Sequence, residues 1–282
     1  MNTQNTPEHP WGGMKESADL GRFIYSHSPR HNSRRAIPVW GQAVGIMGFL
    51  SLHSRTGTKK YLESARMAGN YLETLQILDS RNRRNFGAMR ERTPQDQYSI
   101  TRDAATGGMG FAALYKATGD KEYLYRLRIL CDWYIENLIK GEFQWPLFKY
   151  WFDADKQRKT GNFKRHSDVG AGLMFYYAYK LTGEKRYIDE GLVPLCEQFA
   201  KDYHIKPWKS RAFMEMESPW GTNDDFASIS LLAAYRATGD RKYFDAAKRH
   251  VDWLVSVQQK DGSYSGSSAA IYVAGLTILE FC

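Results

Sequence analysis

Four copies of one short motif constrain this chain more than any other feature. Thr56-Gly57-Thr58-Lys59-Lys60-Tyr61 is echoed by Thr118-Gly119-Asp120-Lys121-Glu122-Tyr123, by Thr182-Gly183-Glu184-Lys185-Arg186-Tyr187 and by Thr238-Gly239-Asp240-Arg241-Lys242-Tyr243. Their tyrosines are 62, 64 and 56 residues apart. A fixed period of this kind is the signature of one supersecondary unit stacked on copies of itself. Each copy follows an apolar stretch rich in small residues (41–53, 104–117, 169–181, 226–237) and precedes an amphipathic one (60–77, 122–139, 186–201, 242–259). The glycine suits the left-handed residue that closes a first helix. Asp120 and Asp240 stand where the N-cap of a second helix belongs. The unit is therefore a helical hairpin with a short connection.

The two helices of the unit differ in kind. The first is apolar nearly all round, with glycines (Gly107, Gly108, Gly110, Gly170, Gly172) that let backbones approach. Such a helix is buried on all sides. The second keeps a charged face, as in Glu63, Arg66 and Asn70 or Asp245, Lys248 and Arg249, and so faces solvent. Inner helices alternating with outer ones predict an all-α fold, an α/α toroid of helical hairpins. A further inner helix is expected over 267–281 and a short helix over 14–26, giving an N-terminal arm (1–35) and a toroid (36–282). At about 60 residues per hairpin the 282 residues supply four to five hairpins. The ring is then short, open, cut short with the chain or completed by an oligomeric partner.

Composition narrows the function classes. Apolar residues are 43% and charged residues 25%, the balance of a globular protein rather than a disordered one. No apolar run is long enough to span a bilayer, and no signal-peptide pattern opens the chain, so the compartment stays open between cytoplasmic and exported. Cys131, Cys196 and Cys282 are too scattered for a disulfide framework or a zinc site, and no H-x-x-x-H or H-E-x-x-H spacing appears. No P-loop or dinucleotide fingerprint is present, so no metal and no cofactor are expected. The net charge of +8 favours an anionic partner.

Long segments follow each outer helix (78–101, 140–166, 202–222) and lead back to the N-terminal ends of inner helices. Long loops on a rigid scaffold concentrate function. Fifteen residues before the repeat glycines stand Gln42, Ala104, Asp168 and Asp224, with Asp103 one position before Ala104 and Asp225 one position after Asp224. Three of the four repeats thus place a carboxylate at one structural spot, the start of an inner helix. An aspartate there also caps the helix and opposes its dipole, so both roles stay open. Several carboxylates converging on one hollow suit acid–base chemistry, and two flanking a bond suit glycoside hydrolysis. Asp103, Asp168 and Asp225 are the candidate acid and base. Arg35, Arg102 and His166 are candidates to hold an anionic group. Trp40, Trp220 and Tyr264 are candidate stacking walls, and Gln42, Asn223 and Asp224 candidate polar contacts to the substrate.

The hairpin repeat with T-G-[DE]-[KR]-x-Y resembles the six-hairpin glycosidase superfamily of α/α toroid carbohydrate enzymes over about residues 36–282. Within it, His166-Ser167-Asp168-Val169-Gly170 is similar to the H-D-x-G-F segment of unsaturated uronyl hydrolases, with Ser167 inserted and no Phe. That resemblance implies that Asp168, with Asp103 or Asp225, carries proton transfer to an unsaturated uronide. A second similarity, Arg249-His250-Val251-Asp252-Trp253-Leu254 with Gln258 and Gly262-Ser263-Tyr264, is to the Q-W repeat of terpenoid cyclases; Asn223-Asp224-Asp225 resembles their D-x-D-D motif, with Thr222 in place of its first Asp.

The expectation is a glycoside hydrolase acting on a uronate-containing glycan. A polysaccharide lyase on the same scaffold and a non-catalytic glycan-binding domain are the alternatives. The expected partner is an anionic oligo- or polysaccharide, with neither nucleic acid nor membrane.

Overall fold

The computed structural model describes residues 4, 21–28, 33–83, 85–96, 99–140, 152–153, 158–159, 171–202, 208–209, 217–218, 227–257 and 259–262. Eight α-helices appear among them, in four hairpins: α1 (Val39–Thr56) with α2 (Lys59–Thr74), α3 (Thr101–Thr118) with α4 (Lys121–Tyr134), α5 (Ala171–Thr182) with α6 (Val193–Asp202), and α7 (Ala227–Thr238) with α8 (Arg241–Val257). The hairpins expected from the repeat are all present.

The turn that joins each pair is built the same way four times. Gly57, Gly119, Gly183 and Gly239 hold φ of 69, 73, 74 and 75°, and each donates its amide to the carbonyl four residues back. The threonine before each glycine donates its hydroxyl to its own i−4 carbonyl, at 2.7–2.8 Å. The same oxygen accepts the amide two residues on, at 3.1–3.2 Å. One side chain therefore folds back on the last helical turn and gives the turn amide beyond the glycine an acceptor. Asp120 and Asp240 then cap the next helix through the amides of Glu122 and Lys242, both at 3.0 Å. The repeat tyrosines Tyr123, Tyr187 and Tyr243 are buried.

The chain divides into two compact units, residues 1–134 with 150–162 and residues 135–149 with 163–282. In the first, α1 packs on α3 through glycine. A Cβ on Gly107 would meet Val39 Cγ2 at 3.0 Å, and one on Gly110 would meet Ala43 Cβ at 3.1 Å. In the second, α5 packs on α7, where a Cβ on Gly172 would lie 3.0 Å from Ser230 Cβ. Outer helices are tied to their neighbours by charge. Arg126 of α4 binds Glu73 of α2 at 3.3 Å, and Glu197 of α6 takes both Lys242 (2.7 Å) and the Tyr243 hydroxyl (3.0 Å) of α8.

Three features go beyond or against the sequence reading. Residues 24–26, expected in a short helix, lie instead in a strand: β1 (Ile24–Ser28) pairs antiparallel with β2 (Ser33–Ala36), as the aromatic and β-branched run at 23–25 favours; residues 14–20 lie outside the described set. Two more ribbons, β3 (Phe152–Asp153) with β4 (Arg158–Lys159) and β5 (Trp208–Lys209) with β6 (Glu217–Ser218), sit in the long connections. The outer helices also contain π-helical turns, at Ile135–Ile139 after α4 and Tyr187–Leu192 before α6. The second precedes Pro194, which has no amide to continue an α-helical ladder. The inner helix expected over 267–281 lies outside the described residues.

Candidate functional site

The contacts Val39–Gly107 and Ala43–Gly110 ascend together, so α1 and α3 run in the same direction. Val39 opens α1, whereas Gly107 is the seventh residue of α3. The N-terminal end of α3 therefore stands six residues beyond that of α1, about 9 Å at 1.5 Å per residue. Arg102 and Asp103 lie on this projecting turn.

Asp103 is only 4% exposed. Its place in the first turn lets its charge oppose the helix dipole, and the N-cap position, Ile100, makes no side-chain cap. Polar residues near it in sequence, Ser99, Thr101 and Thr106, are buried as well, beside the buried Ala104 and Ala105. One further carboxylate among the described residues is buried, Glu91, at 1% exposure. Glu91 sits in the connection that precedes α3, and its backbone carbonyl accepts the Val39 amide at 2.6 Å. It thus lies at the N-terminal end of α1, as Asp103 does at that of α3. Sequence reasoning missed Glu91; the available signal was a lone acid between Arg90 and Arg92.

The loop carrying Glu91 is held by Asp96. Its carboxylate accepts the amides of Arg92 (2.6 Å) and Thr93 (3.1 Å) and the Thr93 hydroxyl (3.1 Å), and its carbonyl takes the Arg90 guanidinium at 2.5 Å. Arg81, in the same connection, is paired with Asp79 at 2.9 Å, which lowers the Asp79 carboxyl below its ordinary range. Part of the basic character of this connection therefore serves the connection itself.

Gln42, expected to touch substrate, is a scaffold residue. It is fully buried, and its amide group donates to the carbonyls of Gly21 (2.9 Å) and Ala68 (3.1 Å) while its oxygen accepts the Phe23 amide (3.2 Å). Gln4 does the same from the other side, donating to Gly21 (3.1 Å) and Ser64 (3.0 Å). Trp40, half-buried at the start of α1, lines an open groove of about 720 Å³ with Phe23, Val44, Phe49 and Leu52. Arg35 lies on β2 opposite Ser26. Asp168, Asp225, His166, Trp220, Asn223, Asp224 and Tyr264 lie outside the described residues. Among the described residues no group of three or more His, Cys, Asp or Glu could hold a metal ion, and no helix is long and apolar enough to cross a membrane.

No protein-family model matches the chain, and no curated protein sequence is significantly similar to it. Solved structures are. Cellobiose 2-epimerase from Bacillus thermoamylovorans superposes with a TM-score of 0.63 at 17% identity, covering 86% of this chain and 71% of the epimerase. A D-mannose isomerase matches with a TM-score of 0.62 at 11% identity, covering 89% of this chain and 74% of the isomerase. An α-1,6-mannanase of a Salegentibacter species matches with a TM-score of 0.64 at 11% identity, covering 87% and 75%. The fold is that of these solved enzymes, an α/α toroid of helical hairpins.

Proposed function

We propose that the protein is a carbohydrate-active enzyme, a glycoside hydrolase working by carboxylate acid–base catalysis. The observation that carries this is the buried Asp103 on the projecting first turn of α3, with a second buried carboxylate, Glu91, at the neighbouring helix end. Carboxyls are the side chains that serve as acid and base in glycoside hydrolysis. Asp168 and Asp225 are the proposed partners, with Arg35, Arg102 and His166 orienting an anionic group and Trp40, Trp220 and Tyr264 stacking on sugar rings. The Salegentibacter mannanase is inactive when two adjacent aspartates are replaced. The one pair of adjacent aspartates in this chain is Asp224–Asp225, which supports placing catalysis there. A uronate-containing substrate is supported by the net charge of +8 and the arginines of the connections.

The test is incubation with a panel of uronate-containing and neutral glycans, including α-1,6-mannan, read for new reducing ends and for absorbance. Asp103→Asn, Asp168→Asn and Asp225→Asn are each expected to lower turnover about 100-fold or more. New reducing ends without an absorbing product indicate hydrolysis; an absorbing C=C product indicates the lyase. Wild-type turnover in all three variants removes the reading. Likeness to an epimerase and an isomerase favours a second one, proton abstraction beside a sugar carbonyl with His166 as base. It would appear as an altered sugar with no new reducing end.

A further inference from the structure

Both inner helices of the first unit are held at their N-terminal ends by a phenol reaching in from an outer helix. Tyr134, the last residue of α4, donates its hydroxyl to the carbonyl of Thr101, the first residue of α3. Tyr71 of α2 donates to the carbonyl of Arg92 at 2.7 Å, and the preceding residue, Glu91, gives its carbonyl to the Val39 amide that opens α1. Both tyrosines are 1% exposed, so water does not compete for either hydroxyl. The positions that would ordinarily cap these helices are Pro38 and Ile100, and neither makes a side-chain cap. The helix ends are thus fixed from outside, each by a rigid ring with a single polar atom at its tip.

Packing alone does not call for those hydroxyls, since phenylalanine fills nearly the same volume. Their effect falls on what the two helix ends carry. Thr101 and Asp103 share one turn, so holding the Thr101 carbonyl fixes the azimuth of the Asp103 side chain. Holding Arg92 likewise fixes Glu91 and the first residue of α1. We propose that Tyr134 and Tyr71 are positioning residues, which set the Asp103 and Glu91 carboxyls in working orientation without touching substrate. This rests on the catalytic reading of Asp103 given above. Small displacements of a reacting group lower the rate steeply, so the ties should be visible in turnover rather than in substrate binding.

The experiment uses the full chain, with Tyr134→Phe, Tyr71→Phe and Asp103→Asn, on the glycan that the wild type cleaves. Each is followed by kcat, KM and amide hydrogen exchange. Tyr134→Phe should lower kcat about tenfold with KM unchanged, and speed exchange across 99–107 about tenfold while α4 stays protected. Tyr71→Phe should do the same for kcat and speed exchange across 39–43 and 90–93. A role confined to stability would leave kcat at the wild-type value at temperatures where the variant is folded. Wild-type kcat in both tyrosine variants beside an inactive Asp103→Asn overturns the positioning role alone. Full turnover by Asp103→Asn removes the catalytic reading, and the positioning role with it, whatever the exchange shows.

Discussion

A few residues decide far more than their size suggests. Thr118 gives the Asp120 amide its acceptor, so Thr118→Val, which keeps the shape and loses the oxygen, should cost about 1 kcal/mol in urea unfolding. Gln42→Leu should cost about 2 kcal/mol, because it strands the buried Phe23 amide and takes one of two side-chain donors from the Gly21 carbonyl. Glu73 shows how burial and pairing compete: burial pushes its carboxyl up more than Arg126, 3.3 Å away, draws it down. A raised folded pKa means that the folded state holds this proton more tightly than the unfolded chain does. The stabilisation is therefore complete below the ordinary value of 4.5 and is lost as the pH rises through the raised one. Glu73→Gln removes that dependence, so its stability relative to wild type should rise between pH 4 and 7, measured by urea unfolding at each pH. At this scale the sequence was uneven. The thresholds of each hairpin were legible because threonine, glycine and aspartate act within a few residues of themselves. Gln42 was not, because its partners are backbone groups 19 to 26 positions away.

At the level of elements, glycine sets how near the helices come. Gly110→Ala would push a methyl to 3.1 Å from Ala43 Cβ and 3.3 Å from Ala43 Cα, and backbone cannot step aside as a side chain can. An overpacking cost of about 1–3 kcal/mol is expected in thermal or urea melts. Gly119, by contrast, has nothing within 4 Å of the place a methyl would take, so Gly119→Ala meets only the left-handed backbone penalty, about 1–2 kcal/mol. The helices themselves were readable from apolar periodicity. The ribbons were not, since strands of two residues leave no alternation to find, and the π-helical turn before α6 left only Pro194 as its mark. Glu91 escaped for a related reason: its burial comes from the way a long connection folds back, which no local pattern encodes.

At the level of the whole molecule, the repeat led to the toroid architecture, and similarity to an epimerase, an isomerase and a mannanase bears that out while the chemistry of the three differs. One scaffold hosting several reactions on sugars is what is expected when function resides in the connections rather than in the helices. The excess of 39 basic over 31 acidic side chains offers a test at this scale. If the substrate is a uronate-containing glycan, its KM should rise severalfold between 50 and 500 mM salt (roughly 14 to 4 Å of screening length), while KM for a neutral glycan stays level.

The four turns also differ in one respect that can be exploited. Asp120 and Asp240 supply an oxygen to the amide two residues ahead, whereas Thr58, at the corresponding place, supplies none. The protein therefore contains its own consensus for improvement. Copying the aspartate into the first turn, as Thr58→Asp, borrows a solution already proven twice in the same molecule and should raise the melting temperature without disturbing anything at the far ends of the helices.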